Sequence, residues 1–255
     1  MTRRVIVAAN WKMNGDSTLI DSMVSGLADM KPSNVKVIIC PSFPYLSELN
    51  QKIKIAGLNE IIHVGSQSVS KFSGGAHTGE VSTTMLKDLS ITYAIVGHSE
   101  RRNLYNETSE QVAKKLHAVL KAGLTPILCI GESELERKTG QIETVLSSQI
   151  QPVIDEVGIE NFSDVVICYE PVWAVGTGNP ASSAMAQETH CFIRRLIAKQ
   201  SEQVAANISL LYGGSVNEAN CEELFAQPDI DGSLVGGASL KAEQFKIICS
   251  AAKGK

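Results

Sequence analysis

The 255-residue sequence contains no Cys-x-x-Cys pair. Its six cysteines, at 40, 129, 168, 191, 221 and 249, suit neither a zinc site nor a disulfide scaffold. Three of them, Cys40, Cys129 and Cys168, lie in or beside apolar runs and read as buried, reduced thiols. No apolar run approaches the ~18 residues of a membrane-spanning helix. The beginning, Met1-Thr2-Arg3-Arg4-Val5, is basic, but the apolar stretch that follows it ends at Asn10, too soon for a signal-peptide core. These absences predict a reducing, cytoplasmic setting. There is no excess of positive charge either. A net charge of −4 argues against general binding to nucleic acid or anionic membranes, while leaving room for a locally positive pocket. No histidine has metal-ligand spacing with carboxylates, so no metal is expected.

What is present is a repeating pattern without low-complexity linkers. Short apolar runs predict strands at Val5–Ala9, Val35–Cys40, Ile61–Gly65, Tyr93–Val96, Thr125–Ile130, Val165–Tyr169, Ile208–Tyr212 and Gly232–Val235. Most are continuous aliphatic runs, as in strands buried on both faces. Between them lie amphipathic segments. Leu19, Ile20, Met23 and Leu27 follow a cap at Asp16-Ser17, and Val81, Met85, Leu86 and Leu89 precede the fourth strand. Val112, Leu116, Val119 and Leu120 follow Thr108-Ser109 and stop at Gly123. A further helix around Ile142–Ile150 is expected to kink or end at Pro152. Eight strands, each followed by a helix, predict one (β/α)8 barrel over residues 1–255. A doubly wound sheet is the rival, but it would place a glycine-rich phosphate loop after the first strand. That turn reads Asn10-Trp11-Lys12-Met13-Asn14-Gly15.

In such a barrel the active site is built where the carboxyl ends of the strands converge. Those ends offer Asn10 and Lys12, then Gly97-His98-Ser99-Glu100, Glu170, Gly213-Gly214-Ser215 and Gly236-Gly237. Pro171 stiffens the exit after Glu170, and Gly176 and Gly178 supply hinge freedom around Val172, Trp173 and Val175, which suits a water-excluding lid. The glycine turns after strands seven and eight suit an anion, with the amides of Ser215, Gly236 and Gly237 as donors and Gly176 joining on closure. Lys12 could form a Schiff base or stay charged. The charged role is preferred, worth about 4 kcal/mol against a phosphate charge ~4 Å away at an effective dielectric near 20. His98, at the start of a short helix, feels positive potential that favours a neutral ring able to polarise a carbonyl. His63, His77, His117 and His190 lack such company. Nothing suggests a nicotinamide or flavin. The set predicts cofactor-free proton abstraction next to the carbonyl of a small phosphorylated sugar.

Seven motifs in order, Ala9–Asn14, Gly97–Arg102, Leu128–Glu132, Tyr169–Ala174, Gly176–Gly178, Tyr212–Val216 and Val235–Leu240, resemble the triosephosphate isomerase family. The resemblance implies dihydroxyacetone phosphate and glyceraldehyde 3-phosphate as substrates, in glycolysis and gluconeogenesis. It makes Glu170 the base, His98 the neutral electrophile, Lys12 an electrostatic clamp, Asn10 an orienting amide and Glu100 an accessory carboxylate. That base-and-imidazole assignment is the family's known logic, carried over here. Asn10, Trp11 and Lys12 are expected to bind substrate together with Gly176, Ser215, Gly236 and Gly237. The resemblance also implies a homodimer in which the loop from Gln67 to Glu80 enters the partner, with Thr78 near the partner's site. Two departures stand out. Asn179 replaces a customary lysine beside the lid, and His77 replaces a customary aromatic next to Thr78.

Overall fold

The computed structural model describes residues 3–176 and 180–254. Eight parallel strands close into a barrel in sequence order. They are β1 (Val5–Asn10), β2 (Val35–Cys40), β3 (Ile62–Ser66), β4 (Tyr93–Val96), β5 (Thr125–Ile130), β6 (Val166–Tyr169), β7 (Ser209–Tyr212) and β8 (Gly232–Val235). Every expected strand is present, its ends shifted by one residue at most. Closure is made by β8 against β1, with Ile6 opposite Gly232.

The continuous apolar runs now have a physical reason. Val5, Val7 and Ala9 of β1 point outward and join the layer between barrel and helices, whereas Ile6 and Ala8 point inward and fill the barrel. β6 divides in the same way, with Ile167 and Tyr169 outward and Val166 and Cys168 inward. Both faces are dry, so both must be apolar. Burying each aliphatic side chain contributes roughly 1.5–3 kcal/mol.

The helices begin where the caps predict. Asp16 accepts the Leu19 amide at 2.7 Å, and Thr108 with Gln111 forms a reciprocal capping box for the helix Ser109–Lys121. Pro152 does not end its helix, which runs Ile142–Val157 and stops before Gly158. Leu146, Ile150, Val153 and Ile154 are buried on both sides of the proline, so packing carries the helix across the lost hydrogen bond. Another expectation fails at Met85. The helix Thr83–Asp88 buries Leu86, but Met85 is 55% exposed. Among the described residues no helix is long and apolar enough to cross a membrane.

Candidate active site

Strand alternation decides what reaches the carboxyl end of the barrel. On β1 the odd residues face the helices, so Trp11 continues that series. Its side chain is fully buried in the outer core, and a Cβ added at Gly15 would lie 3.2 Å from its ring. Trp11, an expected substrate-binding residue, thus turns its side chain away from the barrel mouth. Asn10 and Lys12, on the even series, line a small cavity of about 80 Å³. His98, Glu170, Gly176, Ser215, Gly236 and Gly237 line the same cavity. Glu100 stands at its edge through Lys12, whose Nζ lies 2.6 Å from Glu100 Oε1. Gly178 and Asn179 lie outside the described residues.

Glu170 is 2% exposed and fixed by three local devices. Its amide donates to Ile130 O at 2.7 Å, its Oε2 accepts the Ser99 amide at 3.2 Å, and its Oε1 lies 3.0 Å from His98 Nε2. Gly131 lets the two chains touch, since a Cβ there would lie 1.8 Å from Glu170 O. Burial alone would push the Glu170 carboxyl up. His98, the Ser99 amide and Lys12 outweigh it and hold the group below the ordinary glutamate range.

His98 caps the helix Ser99–Tyr105, and its Nδ1 accepts the Glu100 amide at 3.2 Å. Two influences on this ring oppose one another. Burial favours the neutral form, yet the adjacent Glu170 carboxylate, aided by Glu100, raises the ring's pKa overall. The hydrogen bond decides the assignment. A nitrogen that accepts an N–H has no proton of its own, and an imidazolium would set two protons face to face. The ring is therefore assigned neutral, with its proton on Nε2 toward Glu170.

Lys12 has φ +54°, an uncommon left-handed conformation for a side-chain-bearing residue. Its N–H donates to Asn10 Oδ1 at 3.0 Å, and its carbonyl accepts Ser42 Oγ and Gln67 Nε2 at 2.9 and 2.8 Å. The expected anion donors are only partly prepared. The Ser215 amide and Oγ both donate to Ala174 O, at 3.2 and 2.7 Å, so the segment after Glu170 occupies them in this state. Gly236 precedes the single 3-10 turn Gly237–Leu240.

A residue without an assigned role in the sequence reading also matters. Glu132, fully buried just beyond β5, accepts on one oxygen from Tyr169 OH at 3.0 Å, Trp173 Nε1 at 3.0 Å and Arg137 Nη1 at 3.1 Å. It ties the segment leaving Glu170 to the barrel. The signal was available as a charged residue ending an otherwise apolar strand.

A groove of about 780 Å³ elsewhere is larger, and it holds its own carboxylate–imidazole pair, Glu156 and His117, 2.8 Å apart. That pair sits on outer helices and is half-exposed, without glycine turns beside it. Chemistry, not size, selects the barrel mouth.

A closed parallel barrel with a buried carboxylate, an imidazole and a lysine converging at its carboxyl face defines a barrel enzyme. The profile of the family "Triosephosphate isomerase" matches residues 5–252. A triosephosphate isomerase of Colwellia psychrerythraea is 76% identical over the whole of both chains. Those of Hydrogenovibrio crunogenus and Pseudoalteromonas translucida are 50% and 46% identical over 98% or more of each chain. The chain belongs to the triosephosphate isomerase family, whose members are isomerases of the aldose–ketose type.

Proposed function

We propose that this protein interconverts dihydroxyacetone phosphate and D-glyceraldehyde 3-phosphate through an enediolate, without a cofactor. Glu170 removes the proton from the carbon beside the carbonyl, and neutral His98 donates its Nε2–H to the carbonyl oxygen. Glu170 then returns the proton to the neighbouring carbon, while His98 Nε2 takes back a proton from the other oxygen, the former hydroxyl, which becomes the new carbonyl. The observation carrying this reading is the 3.0 Å pairing of Glu170 Oε1 with His98 Nε2 inside the glycine-lined cavity. Base and electrophile already face each other there, and substrate inserts between them. Lys12 supplies the fixed cation for the phosphate, Asn10 orients the substrate, and Glu100 holds Lys12. The amides of Ser215, Gly236, Gly237 and Gly176 receive the phosphate once Ala174 O leaves Ser215.

The reaction belongs to glycolysis and gluconeogenesis in the cytoplasm, on one catalytic domain. The protein works as a homodimer. Supporting this, the loop from Gln67 to Glu80 carries an exposed Phe72 stacked on His77, with ring centroids 4.0 Å apart, and leaves Thr78 exposed. Met13 and Met85 are likewise exposed, by 95% and 55%.

The deciding experiment compares Glu170→Gln with wild type. The expected result is a fall in kcat of about 10²–10⁴-fold with modest change in KM. Retained activity would remove Glu170 as the base, and no isomerase activity in the wild type would return the site to a barrel that only binds phosphorylated metabolites. Borohydride trapping with substrate addresses the Schiff-base alternative. An adduct on Lys12 would replace the isomerase reading with an aldolase.

A further inference from the structure

Cysteine spacing along the chain suggests no metal site, yet the barrel brings two cysteines together. Cys129 on β5 and Cys168 on β6 are register partners across the parallel ladder, and both point into the barrel interior. Glu170 continues the inward series two residues beyond Cys168. One sulfur from each cysteine and one Glu170 oxygen lie within 4.8 Å of one another. We propose that Cys129, Cys168 and Glu170 form a three-ligand site for a soft divalent cation of the zinc or cadmium type, and that occupancy silences the enzyme by engaging its base. The silencing rests on the reading of Glu170 given above.

The donor set fits this class of ion. Two sulfurs and one carboxylate suit a thiophilic metal and disfavour magnesium or calcium, which take oxygen ligands. Tetrahedral zinc, with bonds of about 2.3 Å to sulfur and about 2.0–2.2 Å to oxygen, sets its ligand atoms roughly 3.6–3.8 Å apart. The observed triangle needs to contract by about 1.2 Å at most.

Charge balance also favours it. Both thiols are fully buried, and each gives up its proton when it coordinates the ion. The cation forms two metal–sulfur bonds, and two protons leave to solvent. Its two positive charges replace theirs, so the buried site keeps its net charge and no redox step is involved.

Access lies through the cavity. Gly213 lines it, and a Cβ at that position would be 2.6 Å from Cys168 Sγ and 2.7 Å from Glu170 Cγ. Cys168 Sγ and the Glu170 side chain thus lie directly behind this glycine of the cavity wall. His98, whose Nε2 stands 3.0 Å from Glu170 Oε1, lines the same cavity.

Chelator-treated enzyme titrated with cadmium tests the proposal. The expected result is one ion per chain, a thiolate-to-cadmium charge-transfer band in the ultraviolet, and isomerase activity falling in parallel until a chelator restores it. In Cys168→Ala the band should fall to about half or less at saturating cadmium, since Cys129 alone is left to supply sulfur. The cadmium needed for half-inhibition should rise by more than the ten- to hundredfold typical of losing an outer-shell partner. Cys168→Ser keeps the volume and repeats the test should the alanine variant fold poorly. Inhibition in Cys168→Ala or Cys168→Ser as strong as in wild type, or cadmium bound without the band, overturns the site. Band formation with full activity retained overturns the silencing. Glu170→Gln assayed without metal judges the base assignment separately.

Discussion

Trp173 Nε1 donates to Glu132 Oε1 across 3.0 Å, so the segment leaving Glu170 is fastened to the end of β5. The same oxygen holds Tyr169 OH and Arg137, and the Arg137 guanidinium also lies 5.2 Å from the Trp173 ring centre. Replacing Glu132 by alanine removes the shared acceptor of a buried tyrosine hydroxyl and of two partly buried donors. The expected loss is about 3 kcal/mol, seen as a lower denaturant midpoint at unchanged slope. Trp173→Phe removes one donor and should cost about 1 kcal/mol while altering kcat, since it frees the segment covering the cavity. A Glu132→Ala enzyme as stable as wild type would remove this carboxylate from the fold's supports.

Lys12 holds a left-handed backbone that glycine adopts at no steric cost. Its ion pair with Glu100 is partly exposed, with the two side chains 27% and 42% accessible, and contributes little to stability. Lys12→Gly should therefore unfold within about 1 kcal/mol of wild type. Loss of a cation worth about 4 kcal/mol should lower kcat/KM by roughly 10³-fold. A large stability loss with activity kept would reverse the roles assigned to backbone and side chain.

Glu107 gives a pH prediction away from the cavity. Lys115 Nζ and Arg101 Nε lie 2.6 and 2.9 Å from its Oε2. Burial raises its pKa, but the two cations outweigh burial and hold it below the ordinary value of 4.5. The unfolded chain thus takes up this proton more readily than the native one. The stabilisation is complete above about pH 4.5 and is lost as pH falls through the lower native value. Glu107→Gln should reduce stability at neutral pH and flatten the acid limb of the stability curve, measured by urea midpoints from about pH 3 to 7. Curves that stay parallel would exclude Glu107 as a source of acid sensitivity.

Particular residues show how much was legible beforehand. The eight strands could be read because most of their residues are buried on both faces, and that demand shows directly in composition. Asn10, Lys12 and Glu170 were visible as polar groups ending such strands. Trp11 stands in the same motif, but alternation along β1 turns its side chain toward the helices. Pro152 was read locally, and packing on both sides of it prevailed. Glu132 and the pairing of Cys129 with Cys168 depend on which strands are neighbours, something that linear spacing does not carry.

The contact of Gly131 with Glu170 O has one more consequence. The gap between those two chains is a single hydrogen atom wide. Even alanine would drive the glutamate's backbone outward by more than an ångström, and misplacement on that scale costs an enzyme about a hundredfold. Position 131 therefore works as a spacer gauge. A saturation library there should return glycine alone among its active clones.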